Sequence, residues 1–206
     1  MAKLREKQKE RRIQAIIAAA GEEFRAAGYN EAKIETIAST AEVAPATIYN
    51  YFGDKAGLLL ALFREHSKQT RALMMQAAMT PPDDALLAID RYFVMVFDNS
   101  MSDLTRELWC EAYAASYKSP SLNLGGIVSE TDARLYADMK ALFEILQSRG
   151  VLGSAISAHD LAEVALAVGN LQWTRFLTGQ IEIEAARTEA IRQIRILLDA
   201  AGRSGN

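Results

Sequence analysis

The stretch VAPATIYNYFGDK, Val43 to Lys55, decides how the first part of the chain folds. Pro45 suits the first turn of a helix, where its missing N–H has no helical acceptor to lose, and a glycine follows where that helix would end. In a helix over residues 45–52, Ile48 and Phe52 lie one turn apart on the same face. The stretch therefore predicts a short helix that buries one face and exposes another.

A second short helix precedes this one in the sequence. Ile34, Ile37, Ala38 and Ala41 recur at helical spacing, and with Val43 they offer an apolar surface on which the later helix can pack. Two short helices joined by a tight turn, of which the second exposes a polar face, form a helix-turn-helix. The second helix of such a motif fits the major groove of DNA.

The exposed face of the later helix carries side chains that suit nucleic acid. Tyrosine hydroxyls can donate hydrogen bonds to phosphates, and Lys55 adds a cation. An asparagine can pair with adenine or reach a phosphate, while methyl groups of alanine and threonine can pack on thymine methyls. An ordinary three-helix cap with surface tyrosines has the same pattern, so the residues by themselves leave both interpretations open. The residues expected to point outward are Pro45, Ala46, Thr47, Asn50 and Tyr51, with Tyr49 at the edge.

The segment IETIASTAEVAPATIYNYFGDKAGLL, Ile34 to Leu59, resembles the DNA-binding signature of the tetracycline-repressor (TetR) family of bacterial regulators. The spacing agrees without a gap, and the helix that precedes it fits as well. The rest of the chain resembles the family only in being a helical region of suitable length. The matching residues are Ile37, Ala38, Ala41, Val43, Thr47, Ile48, Tyr49, Tyr51, Phe52, Lys55 and Leu58.

The resemblance implies roles for individual side chains. It gives Arg11 and Arg12, which lie just before the first apolar stripe, a contact with phosphates or the minor groove. It implies that one group of residues holds the phosphate backbone and that another reads base edges. The phosphate group is Lys33, Tyr49, Tyr51 and Lys55, and the base-reading group is Pro45, Ala46, Thr47 and Asn50.

Three residues depart from the family pattern. Glu42 stands where the turn usually has glycine, so the chain must manage there without glycine's easy access to positive φ. A left-handed glutamate is possible but mildly unfavourable, and its charge near phosphate is unhelpful. Ala44 replaces the usual serine, which caps the recognition helix and can touch phosphate, and Lys33 replaces a capping threonine. We expect these departures to change DNA affinity and operator choice without changing the fold.

The amino-acid composition restricts the classes of protein to which the chain can belong. Half of the 206 residues are hydrophobic, and the single cysteine, Cys110, excludes an internal disulfide and fits a reducing cytoplasm. No apolar run approaches the roughly 18–20 residues that cross a membrane. The formal net charge is −3, yet residues 1–12 hold six basic and two acidic side chains. Positive charge concentrated in this way suits DNA, although a solvated, frayed terminus has the same composition.

The periodicity predicts an all-α fold, because apolar residues recur at helical spacing along nearly the whole chain. We predict a helix-turn-helix domain over residues 1–54 and a larger helical domain over 55–206, joined by a long helix. Helices are expected over residues 45–52, 55–79, 84–99, 103–117, 127–149, 158–178 and 182–201.

Members of the family that the chain resembles use the larger domain to dimerise and to bind a small effector. An apolar stripe with small residues on two late helices predicts a four-helix dimer interface, and aromatic residues on adjacent helices predict a ligand pocket. Both sets can also belong to the core of a single chain, although the resemblance favours the dimer and the clustering of the aromatic residues favours a pocket. The interface candidates are Leu161, Ala165, Val168, Gly169, Gln172, Phe176, Ile191, Ile194 and Leu198. The pocket candidates are Phe93, Phe97, Trp109, Cys110, Tyr113, Met139, Phe143 and Trp173.

The sequence therefore predicts a cytoplasmic, homodimeric regulator that binds double-stranded operator DNA, most simply a repressor released by a small-molecule effector. A regulator without an effector, one that answers to a protein partner, and an activator are alternatives on the same fold. An enzyme is disfavoured because metal-ligand, phosphate-loop and nucleophile motifs are missing, and His66 and His159 lie far apart in sequence. We expect no cofactor and no metal site.

Overall fold

The computed structural model describes the backbone of residues 2–118 and 124–203, and side chains over 3–114 and 130–199. Within these residues every regular element is a helix, as the sequence predicts. In order along the chain the helices are α1 (Ala2–Glu31), α2 (Ile34–Thr40), α3 (Pro45–Phe52), α4 (Lys55–Met79), α5 (Ala85–Ser100), α6 (Arg106–Lys118), α7 (Leu124–Ser148), α8 (Ala158–Leu177) and α9 (Ile183–Arg203). Within the described part of the chain, no helix is long and apolar enough to cross a membrane.

The predicted bounds of α3 and α4 coincide with the observed ones, and the later helices differ by a few residues at each end. Side-chain caps explain where several helices begin. The carboxylates of Asp54 and Asp84 accept hydrogen bonds from the N–H groups of Gly57 and Leu87 at 2.7 and 2.8 Å. Helix α6 begins three residues later than predicted, because the Thr105 hydroxyl caps it.

The chain packs into two compact units that are not contiguous in sequence. Unit 1 contains residues 1–68 and 103–128, and unit 2 contains residues 69–102 and 129–206. The core of unit 1 joins the first four helices to α6, and its central side chains include Phe24, Ile37, Ile48, Leu58 and Leu108. The predicted boundary between residues 54 and 55 stays a prediction, whereas this packing groups α6 with the helix-turn-helix.

Polar contacts hold α6 and the turn before it against α1 and α4 within unit 1. The guanidinium of Arg25 donates to the carbonyl of Asp103 at 3.1 Å, and the N–H of Tyr29 donates to the carboxylate of Glu107 at 3.1 Å. The rings of Phe63 and Trp109 meet edge to face with centroids 4.7 Å apart. Helix α6 is therefore an integral part of unit 1.

Unit 2 is built mainly from α5, α8 and α9, with the later parts of α4 and α7. A buried carboxylate, Asp138 on α7, forms an ion pair with Arg71 of α4 and accepts a hydrogen bond from the Tyr92 hydroxyl at 3.3 Å. Burial is the main cause that raises the pKa of Tyr92 far above its usual value, so its hydroxyl stays protonated and can donate. This network ties three helices of the unit together.

Candidate nucleic-acid interface

Helices α2 and α3 form the predicted helix-turn-helix around a buried seam. Ile37, Ala38 and Ile48 have at most 1% of their surface exposed, and Val43 and Phe52 are half-buried beside them. Burying these side chains stabilises the packing of α2 against α3, because each Å² of apolar surface removed from water contributes roughly 25 cal/mol. The predicted packing of the recognition helix α3 is confirmed.

The turn between the two helices has a left-handed glutamate, the conformation that the departure from the family pattern left possible. Glu42 has φ 53, and it is the one non-glycine residue with positive φ among those the structure describes. Its N–H donates to the Ser39 carbonyl at 3.2 Å, and the Val43 N–H donates to the Ala38 carbonyl at 2.9 Å. This pair of bonds is the helix-ending motif that normally selects glycine at the left-handed position.

Replacing Glu42 by glycine is expected to stabilise the protein by about 1 kcal/mol, because glycine adopts positive φ without a Cβ penalty. The substitution also removes a negative charge from the turn before α3, so DNA affinity should rise by about two- to tenfold. Thermal unfolding and fluorescence anisotropy with a labelled operator duplex measure the two effects.

The matched control for this change is Glu42→Gln, which removes the charge but keeps the side chain in its left-handed conformation. We expect the glutamine variant to gain DNA affinity without gaining stability. Equal stabilisation by glutamine and glycine would show that the charge of Glu42, and not its backbone conformation, lowers the stability of the protein.

The outward face of α3 differs from the prediction at two residues, Tyr51 and Thr47. Pro45, Ala46 and Asn50 are exposed, and Tyr49 is 48% exposed. Tyr51 is half-buried and its ring lies 6.2 Å from that of Phe52, because a residue three positions after Ile48 shares its buried face. Tyr49 is therefore the freer of the two tyrosines, and Thr47 is half-buried as well.

Neither helix of the motif has a side-chain cap at its start. Ala44 is exposed and extended before α3, with no capping hydrogen bond, and Lys33 occupies the same position before α2. The carboxylate of Glu23 on α1 instead accepts a hydrogen bond from the Lys33 N–H at 3.3 Å. The exposed side chain of Lys33 is therefore not used as a helix cap.

Lys55 has a structural role that the sequence did not reveal. Its ammonium donates to the carbonyls of Asn30 and Ala32, each at 2.9 Å, and lies 4.9 Å from the centre of the Tyr29 ring. These carbonyls lie where α1 ends and lack helical partners. Lys55 thus fixes the start of α4 to the end of α1, and its role at phosphate stays a prediction.

Gly57 is a second residue that the sequence reasoning missed. A Cβ added to Gly57 would lie 1.9 Å from the carbonyl oxygen of Phe52, the last residue of α3. The signal in the sequence is a glycine in the first turn of a predicted helix, where helix propensity disfavours it. Its absent side chain allows α3 and α4 to meet at a tight corner, which sets the direction of the recognition helix within unit 1.

The remaining predicted DNA contacts, Arg11 and Arg12, are exposed on α1. They precede Ile16, the first fully buried residue of that helix. Their guanidinium groups are therefore accessible to a partner.

The structure divides the predicted pocket residues between the two units. In unit 2, Phe93, Phe97 and Trp173 are buried together, with the rings of Phe97 and Trp173 5.6 Å apart. In unit 1, Trp109 packs on Phe63. The other candidates are Met139 and Phe143, buried in unit 2, and Tyr113 and Cys110, half-buried and exposed in unit 1.

A surface groove of about 520 Å³ lies elsewhere in unit 2. It is formed by the start of α5, the loop after α7 and the end of α9, and none of the predicted pocket residues lines it. The lining residues are Ala85, Leu86, Val151, Leu152, Gly153, Arg195, Leu198 and Asp199.

Most of the predicted dimer residues are buried inside unit 2 of the single chain. Gly169, proposed to allow close approach of two subunits, packs against Phe93 of α5, whose ring would lie 2.9 Å from an added Cβ. Residues without exposed surface have none left to bury against a partner. Leu161, Ala165, Gln172 and Ile194 are fully buried, Phe176 and Leu198 are 5% and 7% exposed, and Val168 and Ile191 are half-buried.

The two histidines have separate environments. His66 is buried in unit 1 with its Nδ1 atom 3.7 Å from a carboxylate oxygen of Asp103, and burial lowers its pKa while Asp103 opposes that shift. His159 is exposed at the start of α8, where its ring contacts the Tyr136 hydroxyl.

Comparisons with known proteins identify the family to which this helix-turn-helix belongs. The family described as bacterial regulatory proteins, tetR family, matches residues 16–62. The HTH-type transcriptional regulator BetI of Cronobacter sakazakii is 31% identical over 180 residues, which cover 84% of this chain and 84% of that protein.

Two solved structures share the fold. A transcriptional regulator from Saccharomonospora viridis in complex with choline has a TM-score of 0.69 at 21% identity, covering 89% of this chain and 95% of that one. The regulator FadR from Bacillus subtilis in complex with stearoyl-CoA has a TM-score of 0.61 at 17% identity, covering 94% and 99%. From its helix-turn-helix and its likeness to BetI, the chain belongs to the TetR family of bacterial regulatory proteins and is a DNA-binding transcriptional regulator.

Proposed function

We propose that the chain is a homodimeric repressor that binds operator DNA through α3 and leaves it when a small-molecule effector binds. The observation that carries this proposal is the outward face of α3, where exposed Pro45, Ala46, Tyr49 and Asn50 project from a helix seated on buried Ile48. A short helix with such a face suits the major groove. Because operator DNA is its partner, the protein works in the cytoplasm.

The side chains of this face divide by chemistry. The hydroxyl of Tyr49 and the ammonium of Lys33 are free to meet phosphates, which fix the position of a protein on DNA without reading its sequence. Ala46 and Asn50 present a methyl group and an amide to base edges. Tyr51, Thr47 and Pro45 complete the surface, and Lys55 acts chiefly by holding the corner between α1 and α4.

The dimer would use the exposed apolar side chains of α8 and α9 and not the buried stripe beside them. Val164 and Leu171 are 44% and 54% exposed and lie seven residues apart on one side of α8, and Ile196 on α9 is 61% exposed. Large exposed aliphatic residues at helical spacing are suited to a partner helix. A two-fold axis would bring the same surface from each subunit together.

We infer that the effector has an apolar part that contacts the aromatic group of unit 2. Phe93, Phe97 and Trp173 pack together with at most 8% of their surface exposed, and aromatic side chains of this kind commonly contact the apolar part of a small ligand. The fold neighbours bind choline in one case and stearoyl-CoA in the other, so the fold accepts ligands of different size. An effector would act by favouring a conformation in which the two recognition helices no longer match major grooves about 34 Å apart. A regulator answering to a protein partner stays the alternative.

The Tyr49→Phe variant tests the DNA-binding role directly. Removing the hydroxyl is expected to weaken binding by about fivefold on every duplex, specific or random, because a phosphate contact carries no sequence information. Anisotropy titrations with a selected operator and a scrambled duplex measure both affinities. A change confined to sequence preference would instead assign Tyr49 to a base.

A further inference from the structure

The surface groove of unit 2 has walls that are fixed by polar contacts. It lies between the start of α5, the loop after α7 and the end of α9. The guanidinium of Arg149 donates to the Pro81 carbonyl at 2.9 Å, which ties the end of α7 to the turn before α5. The side-chain amide of Gln147 donates to the carbonyls of Gly153 and Ile156 at 3.0 and 2.8 Å, which holds the loop after α7. The groove is therefore preformed, as ligand sites in proteins usually are.

The floor of the groove is aliphatic. Leu152 and Leu198 have 6% and 7% of their surface exposed, and Leu86 and Val151 are half-buried beside them. Gly153 contributes no side chain, which leaves room above the floor. The described lining holds no aromatic ring, so the floor suits an aliphatic body better than a planar one that needs a stacking surface.

Two side chains of opposite charge stand at the α9 side of the groove. Arg195 and Asp199 are exposed, line the groove and lie one helical turn apart. Within the part of the chain that the structure describes, neither forms an ion pair, with the other or with a third residue. An arginine followed four residues later by an acid is the less favourable order for pairing along a helix. Both charges are therefore available to a ligand.

We propose that the groove binds a small zwitterion with an aliphatic body, of the size of a dipeptide, whose carboxylate meets Arg195 and whose ammonium meets Asp199. Side chains one turn apart have Cβ atoms about 5–6 Å from each other, and an extended dipeptide separates its two ends by about 7 Å. The groove volume of about 520 Å³ lies in the range of ligand sites.

The charges also discriminate against simpler ligands. A fatty acid would use the aliphatic floor, but Asp199 beside Arg195 would repel its carboxylate. A single amino acid carries both charges on one carbon, so it matches the separation of the two side chains less well. The site is separate from the aromatic group of Phe93, Phe97 and Trp173, and the inference does not depend on DNA binding or on an effector at that group.

The experiment is a calorimetric titration of the full-length protein with leucyl-leucine. Two altered ligands each lack one charge: leucyl-leucinamide has no carboxylate, and N-acetyl-leucyl-leucine has no ammonium. Two variants, Arg195→Gln and Asp199→Asn, each lack one charge of the groove. The matched control is Arg192→Gln, which makes the same change at an exposed position of α9 outside the groove. Circular dichroism checks that every variant folds.

We expect the wild-type protein to bind leucyl-leucine with a Kd below about 1 mM. Removing either charge of the peptide should weaken binding about fivefold, as should either groove substitution. The decisive result is the cross-pattern, because a charge without a partner adds nothing. Arg195→Gln should bind the acid and the amide equally, Asp199→Asn should bind the free and the acetylated peptide equally, and Arg192→Gln should behave as wild type.

Three results would overturn the inference. The first is the absence of saturable binding by the wild-type protein, or binding that neither groove substitution alters. The second is octanoate that binds more tightly than leucyl-leucine and is strengthened by Asp199→Asn, which would assign the groove to a fatty acid. The third is a changed mass of both variants in analytical ultracentrifugation without peptide binding by the wild type, which would make the groove a contact between subunits.

Discussion

Replacing Ala46 by glutamate is expected to reduce operator affinity at least about 100-fold. The residue is exposed in the first turn of α3, so a longer side chain can point into solvent and the fold is not disturbed. On DNA the new carboxylate would lie against base edges and phosphates, where a like charge costs several kcal/mol. Anisotropy titration of an operator duplex measures the loss, and thermal unfolding tests that stability is unchanged.

Two control variants separate charge from size and position. Ala46→Gln has the same length without the charge and should lose about tenfold or less, with an altered preference for the contacted base. Ala133→Glu adds the same charge on the exposed side of α7 and should leave DNA binding unchanged. Tight operator binding by Ala46→Glu would mean that this face of α3 does not enter the groove.

Replacing Gly57 by alanine is expected to destabilise the protein by about 3 kcal/mol, although it adds a single methyl group. The added Cβ would lie 1.9 Å from the Phe52 carbonyl oxygen, and a backbone atom cannot move aside as the end of a side chain can. Either unit 1 unfolds more readily, or the corner between α3 and α4 opens and redirects the recognition helix. Urea unfolding and operator binding below the transition distinguish these two outcomes.

The matched control is Gly21→Ala in the middle of α1, also in unit 1. There the added Cβ would meet the Leu62 Cδ1 atom at 3.3 Å, and this flexible methyl group can give way. Alanine gains roughly 1 kcal/mol of helix propensity over glycine, so the control should be neutral or slightly stabilised. Equal stability of both variants would show that the α3–α4 corner is not held by the close approach at Gly57.

The helices and the buried side of the motif could be predicted from sequence because they depend on local signals. Pro45, the glycine after Phe52 and the Asp54 cap mark the ends of α3 and the start of α4 in the chain itself. The spacing of Ile48 and Phe52 fixes which face is buried, and the glycine of the family pattern marks position 42 as one where positive φ is used, as Glu42 shows.

The features that could not be predicted depend on contacts between residues distant in sequence. Nothing near Lys55 indicates that its ammonium binds carbonyls at the end of α1, 23 and 25 residues earlier. A stripe such as Leu161 and Ala165 looks the same whether a second subunit or a helix of the same chain covers it. Only the packing on α9 and α5 decides between these, and it leaves Leu171 on the opposite side exposed.

The two units are interleaved along the polypeptide. The chain passes from one unit to the other after residues 68, 102 and 128, and the first and last of these crossings fall inside α4 and α7, where no loop interrupts the helix. Each unit therefore consists of two separate stretches of the chain, so dividing the chain at one position cannot yield either unit whole. Exchanging unit 2 for the corresponding unit of another protein would require three splice points, two of them inside a helix.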